Sequence, residues 1–198
     1  MRGVLAGAAL AILAAVTPAW ADIDEIRFGV VQHNIRTDHG HLASPKEDGP
    51  NLEAELVYTS PHWSKWMGSP RPYVMVSVNT HGDTSFAGVG LYWRWEFVNH
   101  WALEPGAGYV VHNGEIDVPD ELKGAQAGVD FADRHQLLGS RDLFRTSFAL
   151  ERELGRRASW QIYYEHMSHG EILGRGRNQG LDEAGLRFLY RFNTDAAD

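Results

Sequence analysis

The sequence predicts an all-β protein, an eight-stranded antiparallel transmembrane up-and-down β-barrel, and three observations carry the prediction. Eight segments of about ten residues alternate apolar with small or charged residues at a period of two, the pattern of strands with one apolar face. The connections between them alternate long and short, as they do in barrels with long outer loops and short periplasmic turns. Tryptophans collect beside the short connections, which is the arrangement of an interfacial aromatic girdle.

The chain opens on what reads as an export signal: Arg2, an apolar run from Val4 to Val16, and Ala19-Trp20-Ala21 as a small-x-small cleavage site. Residues 1–21 are therefore expected to be removed, leaving 22–198 as a single barrel domain. No later stretch approaches the roughly 20 apolar residues of a membrane helix, so a membrane passage has to be made by strands. The chain has no cysteine, and its fold must rest on burial and backbone pairing rather than on disulfides. A formal net charge of −8 argues against a nucleic-acid partner.

Strands are expected near 24–33, 51–59, 71–79, 87–97, 101–111, 141–152, 158–168 and 181–192. The fourth shows the alternation plainly. Ala87, Val89, Leu91, Trp93, Trp95 and Phe97 take one parity, and Gly88, Gly90, Tyr92, Arg94 and Glu96 the other. Segments 34–50, 80–84, 112–140 and 169–180 fall on the outside, the second being shorter than the rule predicts. The turns at 63–66, 98–100 and 154–157 fall on the periplasmic side, flanked by Trp63, Trp66, Trp95, Trp101, Trp160, Tyr190 and Phe192. Glu53, Glu55, Arg94, Glu96, Glu104, Arg145, Glu165, Arg187 and Arg191 share the inward parity and are expected to fill the lumen with ion pairs. Gly88, Gly90, Gly106 and Gly108 leave room for them. No helix has a clear claim on the exported chain. The competing arrangement is a soluble lipocalin-like barrel, whose apolar parity would face inward.

The candidate site lies at the outer end of the seventh segment. There Trp160, Ile162, Tyr164, His166 and Ser168 share the lipid-facing parity. Alternate residues on one strand face stand about 6–7 Å apart at the backbone, within reach for a hydroxyl and an imidazole. The eighth segment begins at the same level with Asp182 on the outward parity, while Glu183 joins Arg187 and Arg191 inside. A serine nucleophile needs a base for its proton, and the base needs a carboxylate to fix its tautomer, so Ser168, His166 and Asp182 fit those roles. Polar groups on a lipid-facing surface are costly except near the interface, which is where these fall.

Leu138-Gly139-Ser140, His166-Met167-Ser168 and Asn178-Gln179-Gly180-Leu181-Asp182 resemble the closing third of the PagL-type lipid A 3-O-deacylases, over about residues 137–192. The resemblance implies an outer-membrane barrel that hydrolyses the ester of the primary acyl chain at the 3 position of lipid A. It casts Ser168 as nucleophile, His166 as base and Asp182 as orienting acid. Asn178 and backbone N–H groups near Gly170 become oxyanion donors. Two departures stand out: His169 occupies a place held by asparagine in relatives, and Asp182 replaces a glutamate, which leaves Glu183 as the alternative acid. Arg175 and Arg177, in the loop above, are either phosphate-binding groups for lipopolysaccharide or ordinary solvated cations.

His39-Gly40-His41, and His166 with His169, lack the further ligands of a metal site, so neither metal nor cofactor is expected. Whether two barrels associate as a homodimer is not decided by the residues. Two other functions fit the same barrel pattern: a non-enzymatic outer-membrane barrel, structural or adhesive, and a periplasmic lipid carrier.

Overall fold

A computed structural model of the chain describes residues 22–35, 46–174 and 177–192. The expected export signal, His39, His41 and Arg175 lie outside the described residues.

The strands are β1 (Ile23–Gln32), β2 (Pro50–Tyr58), β3 (Arg71–Asn79), β4 (Phe86–Tyr92), β5 (Trp95–Val98), β6 (Trp101–His112), β7 (Asp142–Glu153), β8 (Ala158–Ser168) and β9 (Leu181–Arg191). Each pairs antiparallel with its neighbour, and β1 pairs with β9 from Glu25 opposite Arg191 to Gln32 opposite Ala184, which closes the barrel. β4 and β5 are two halves of one wall strand. Both pair with β6, and between them Trp93 N–H still donates to the Pro105 carbonyl at 3.0 Å. The wall therefore has eight strands and closes on itself through β1 and β9, so along the paired strands the backbone groups are satisfied within the barrel.

Alternation sorts the side chains as the pleat requires. The outward row on β8 and β9 includes Ile162, Leu186 and Phe188, and Leu186 is 59% exposed. Phe28, Leu52 and Phe148 continue the apolar belt around the wall. An apolar exterior around a polar interior is the reverse of a lipocalin-like carrier, and it is the surface a bilayer covers. Trp63 and Trp66, on a 3-10 turn (His62–Met67), are among the most exposed side chains, and Trp101 packs edge-on against Trp160 with ring centroids 6.1 Å apart. These rings lie at the level of the short connections and form the girdle.

The lumen is filled by charge rather than water-exposed. Arg27 forks onto Glu104 at 2.6 and 2.9 Å, Arg187 meets Glu55 at 2.7 Å, and Arg145 meets Glu165 at 2.5 Å. Tyr73 and Tyr92 stack at 4.1 Å between these cations, and both phenols accept from Arg145. The glycines of β4 and β6 make this possible. A Cβ at Gly108 would stand 2.2 Å from the Tyr73 hydroxyl, and one at Gly90 would stand 2.4 Å from it. Glu96 departs from the expected lumen set. It pairs with Arg94 yet its side chain is 63% exposed, because β5 has β6 on one side and no strand on the other, so it overhangs the barrel mouth.

The outer connection 113–141 corrects the expectation that no helix forms: it carries a 3-10 turn (Asp120–Leu122) and the helix α1 (Gln126–Arg134). Nine residues without a side-chain N-cap make a weak helix alone. Val118, Leu122, Phe131, Ala132 and Leu137 supply a small apolar cluster that holds it. The connection then docks on the β8–β9 loop, where Gln136 donates to the Gly180 carbonyl at 2.6 Å and Leu137 N–H to the Gln179 side chain at 2.8 Å. One outer loop thus braces the loop that follows the site strand.

Candidate functional site on the outer face of the barrel

His166 and Asp182 are direct cross-strand partners of β8 and β9, with both side chains on the outward face. Facing positions bring Cβ atoms to about 4.5–5.5 Å, so even an aspartate reaches across: His166 Nδ1 and Asp182 Oδ1 are 2.7 Å apart. With Nδ1 committed to the carboxylate, Nε2 is the nitrogen left to exchange a proton. Ser168 is the next outward residue on β8 and half-buried opposite Phe144 on β7. Among the described residues no hydrogen bond joins its hydroxyl to the imidazole.

A second group converges on the carboxylate. Tyr164, two residues before His166 on the same face, donates from Oη to Asp182 Oδ1 at 2.5 Å. Reading the sequence for a hydroxyl, an imidazole and an acid passed over Tyr164, which looked like one more aromatic of the apolar row. Its signal was positional: same parity as His166, diagonal to Asp182, and opposite the small Ala184.

Glu183 is not placed to replace Asp182 at this imidazole. It lies in the lumen, accepts from Asn51 at 3.0 Å, and pairs with His33 Nδ1 at 2.5 Å. His33, just beyond the end of β1, also reaches Glu47 at 2.8 Å. Burial opposes its protonation, but the hydrogen bonds to Glu183 and Glu47 outweigh that and push its pKa up to about 9. Glu165 is likewise internal and bound by Arg145.

The turn after Ser168 is built from backbone. Gly170 has φ 59° and Glu171 φ 58°, so two successive residues adopt the left-handed conformation. Glu171 N–H donates to His169 Nδ1 at 3.0 Å, and Ile172 and Leu173 N–H donate to the His169 carbonyl at 3.1 Å each. Gly170 N–H has no such partner among the described residues. His169 itself is fully buried, and its Nε2 lies 3.1 Å from the Arg177 carbonyl. Both ring nitrogens are thus spent on backbone, so the imidazole ties the loop together and is not an outward donor in place of asparagine.

Asn178 is exposed, and its Oδ1 accepts His169 N–H at 3.3 Å, while its amide Nδ2 has no hydrogen-bond partner among the described residues. Arg177 is exposed in the same loop. Two glycines allow these pieces to meet. A Cβ at Gly139 would stand 1.8 Å from the Arg177 carbonyl, and one at Gly180 would stand 3.1 Å from His166 Cε1. Ser140, beside Gly139, donates to the Leu173 carbonyl at 3.2 Å. The three short sequence stretches around residues 139, 167 and 180 are therefore one spatial unit.

Among the described residues, the group that could hold a metal ion is Glu53, Glu165 and Glu183, whose ligand atoms lie within 4.8 Å of one another. It is buried in the lumen on the far side of the wall from His166, where Tyr163, Arg145, His33 and Asn51 already bind these carboxylates. Both ring nitrogens of His169 are engaged by backbone groups and are not offered to a metal beside His166.

Comparison with solved structures places the fold beside "Crystal structure of the outer membrane enzyme PagL", at TM-score 0.57 and 14% identity, covering 83% of this chain and 98% of that one. Two more distant barrels also align. A de novo designed transmembrane β-barrel gives TM-score 0.44 at 11% identity over 85% of this chain and 94% of that one. The Yersinia pestis outer membrane protein Ail gives 0.41 at 12% over 86% and 100%. A search of curated proteins finds no match. The family described as lipid A 3-O-deacylase (PagL) matches residues 49–191, well over half of the chain and including every strand of the wall but β1. The chain belongs to the PagL family of lipid A 3-O-deacylases, hydrolases of a carboxylic ester.

Proposed function

We propose that this family member acts in the outer membrane through a Ser168–His166–Asp182 relay to release the 3-O-linked primary acyl chain of lipid A. The observation that carries the reading is the 2.7 Å contact between His166 Nδ1 and Asp182 on the lipid-facing side, with Ser168 next in the same row. Ser168 Oγ attacks the ester carbonyl and gives its proton to His166 Nε2; Asp182 holds the tautomer and stabilises the imidazolium. The tetrahedral centre collapses as the C–O bond to the 3-oxygen breaks, and that oxygen takes the proton from Nε2. Water, deprotonated by His166, then attacks the acyl-serine and frees the fatty acid and the hydroxyl. The serine–imidazole contact is one that substrate is expected to tighten, since such bonds are often long without it.

The tetrahedral oxyanion falls to the Gly170 N–H and the Asn178 amide, two donors near Ser168 that have no hydrogen-bond partner among the described residues. Arg177, in the loop above, is the cation for a lipid A phosphate. Asn178→Ala is expected to lower kcat about 100-fold with little change in KM, the usual loss for one oxyanion donor. Single-turnover acyl release from purified lipopolysaccharide checks it.

The decisive experiment is mass spectrometry of lipid A from a host that lacks such an enzyme. Expression of the full chain is expected to shift lipid A by the mass of one primary 3-hydroxyacyl chain. An unchanged acylation pattern, with the barrel folded in the outer membrane, favours a structural or adhesive barrel and overturns the reading.

A further inference from the structure

We propose that Tyr164 is a positioning residue of the site, fixing Asp182 so that one carboxylate oxygen faces His166. The proposal rests on the Ser168–His166–Asp182 reading and adds a fourth member to it.

The geometry is specific. Tyr164 Oη and His166 Nδ1 both reach the same atom, Asp182 Oδ1, at 2.5 and 2.7 Å. The two donors stand two residues apart on β8, and the acceptor on β9 faces His166 directly. Tyr164 can lean toward it because its own facing residue is Ala184, which leaves the space open. A single donor holds a carboxylate along one line and leaves it free to rotate; two donors meeting on one oxygen fix the rotamer. This matters for a partly exposed aspartate on a lipid-facing wall.

The phenol also meets the need of the acid to remain charged where water is scarce. A carboxylate at the membrane face is disfavoured unless its lone pairs are bonded, and a hydroxyl donor supplies that without adding a charge that would compete with the imidazolium. Asp182 is one methylene shorter than the family glutamate, so its reach to Nδ1 tolerates little misalignment.

Tyr164→Phe keeps the ring in the apolar row and removes the hydroxyl alone. The variant is expected to lose about tenfold in kcat, the worth of one hydrogen bond to a charged group, with KM unchanged. Asp182→Asn is expected to lose more. The double variant Tyr164→Phe/Asp182→Asn is expected to match Asp182→Asn, because the phenol has nothing left to position. A tyrosine that merely packs against the bilayer would change kcat and KM together, or subtract the same factor in both backgrounds, and either result overturns the inference. Ser168→Ala and His166→Ala run alongside separate the two failures: if these retain activity the relay itself is wrong, whereas if they are inactive and Tyr164→Phe equals wild type only the role of Tyr164 falls.

Discussion

His166→Ala is expected to lower kcat for acyl release on the order of 10^6-fold, with Ser168→Ala equally severe and the double variant no worse than either. The nucleophile and its base act as one unit, so removing either removes the step, and the second loss has nothing left to subtract. Any remaining turnover over water would come from oxyanion donors and substrate binding. Neither change should disturb the barrel. His166 and Ser168 are half-exposed on the outer face, outside the buried ion-pair network, and alanine suits the lipid-facing row. Purified variants should therefore run as folded barrels in gel-shift assays while lipopolysaccharide incubated with them keeps its acyl chains. Retention of even a hundredth of wild-type activity by folded His166→Ala would show that another group takes the proton.

The barrel was legible because strand parity is a rigid code. Once Val89, Leu91 and Trp95 are set to the outside, Tyr92 and Arg94 have to lie inside, and the closing pair β1–β9 follows from an even strand number. The same code placed His166, Ser168 and Asp182 on one face and Glu183 on the other. It was silent where contacts come from outside the pleat. The helix Gln126–Arg134 is made by loop residues folding on themselves around Leu137, which no period in the strands announces. Tyr164 belongs to the lipid row by parity, and only its diagonal reach to Asp182 sets it apart. His169 stands where the family resemblance calls for an amide, but its backbone contacts depend on the left-handed turn at Gly170 and Glu171, and a glycine followed by a glutamate does not declare one. Glu96 has the inward parity, yet β5 runs beyond its neighbour and leaves the side chain at the mouth.

Arg145→Met is expected to destabilise the barrel by about 3–5 kcal/mol, the cost of leaving a buried acid without its partner. Arg145 is fully buried and contacts Glu165 at 2.5 Å, Tyr73 at 2.8 Å, Tyr92 at 2.9 Å and Glu55 at 3.4 Å. Glu55 keeps Arg187 at 2.7 Å when Arg145 is lost, so Glu165 is the acid stranded by the change. Converting it as well, in Arg145→Met/Glu165→Gln, should recover most of the loss, since a neutral amide costs far less to bury than a lone carboxylate. Urea unfolding in lipid vesicles reads both variants as shifts of midpoint at constant slope. The functional consequence follows from the strand: Glu165 immediately precedes His166, so the inward tether of β8 and its outward chemistry are carried by adjacent residues. Where folded Arg145→Met can be isolated, its deacylation rate should fall as well, and the double variant should regain it together with stability. A single variant as stable as wild type would mean that the lumen network does not hold the site strand, and that the backbone ladder with β7 and β9 fixes the register of His166 unaided.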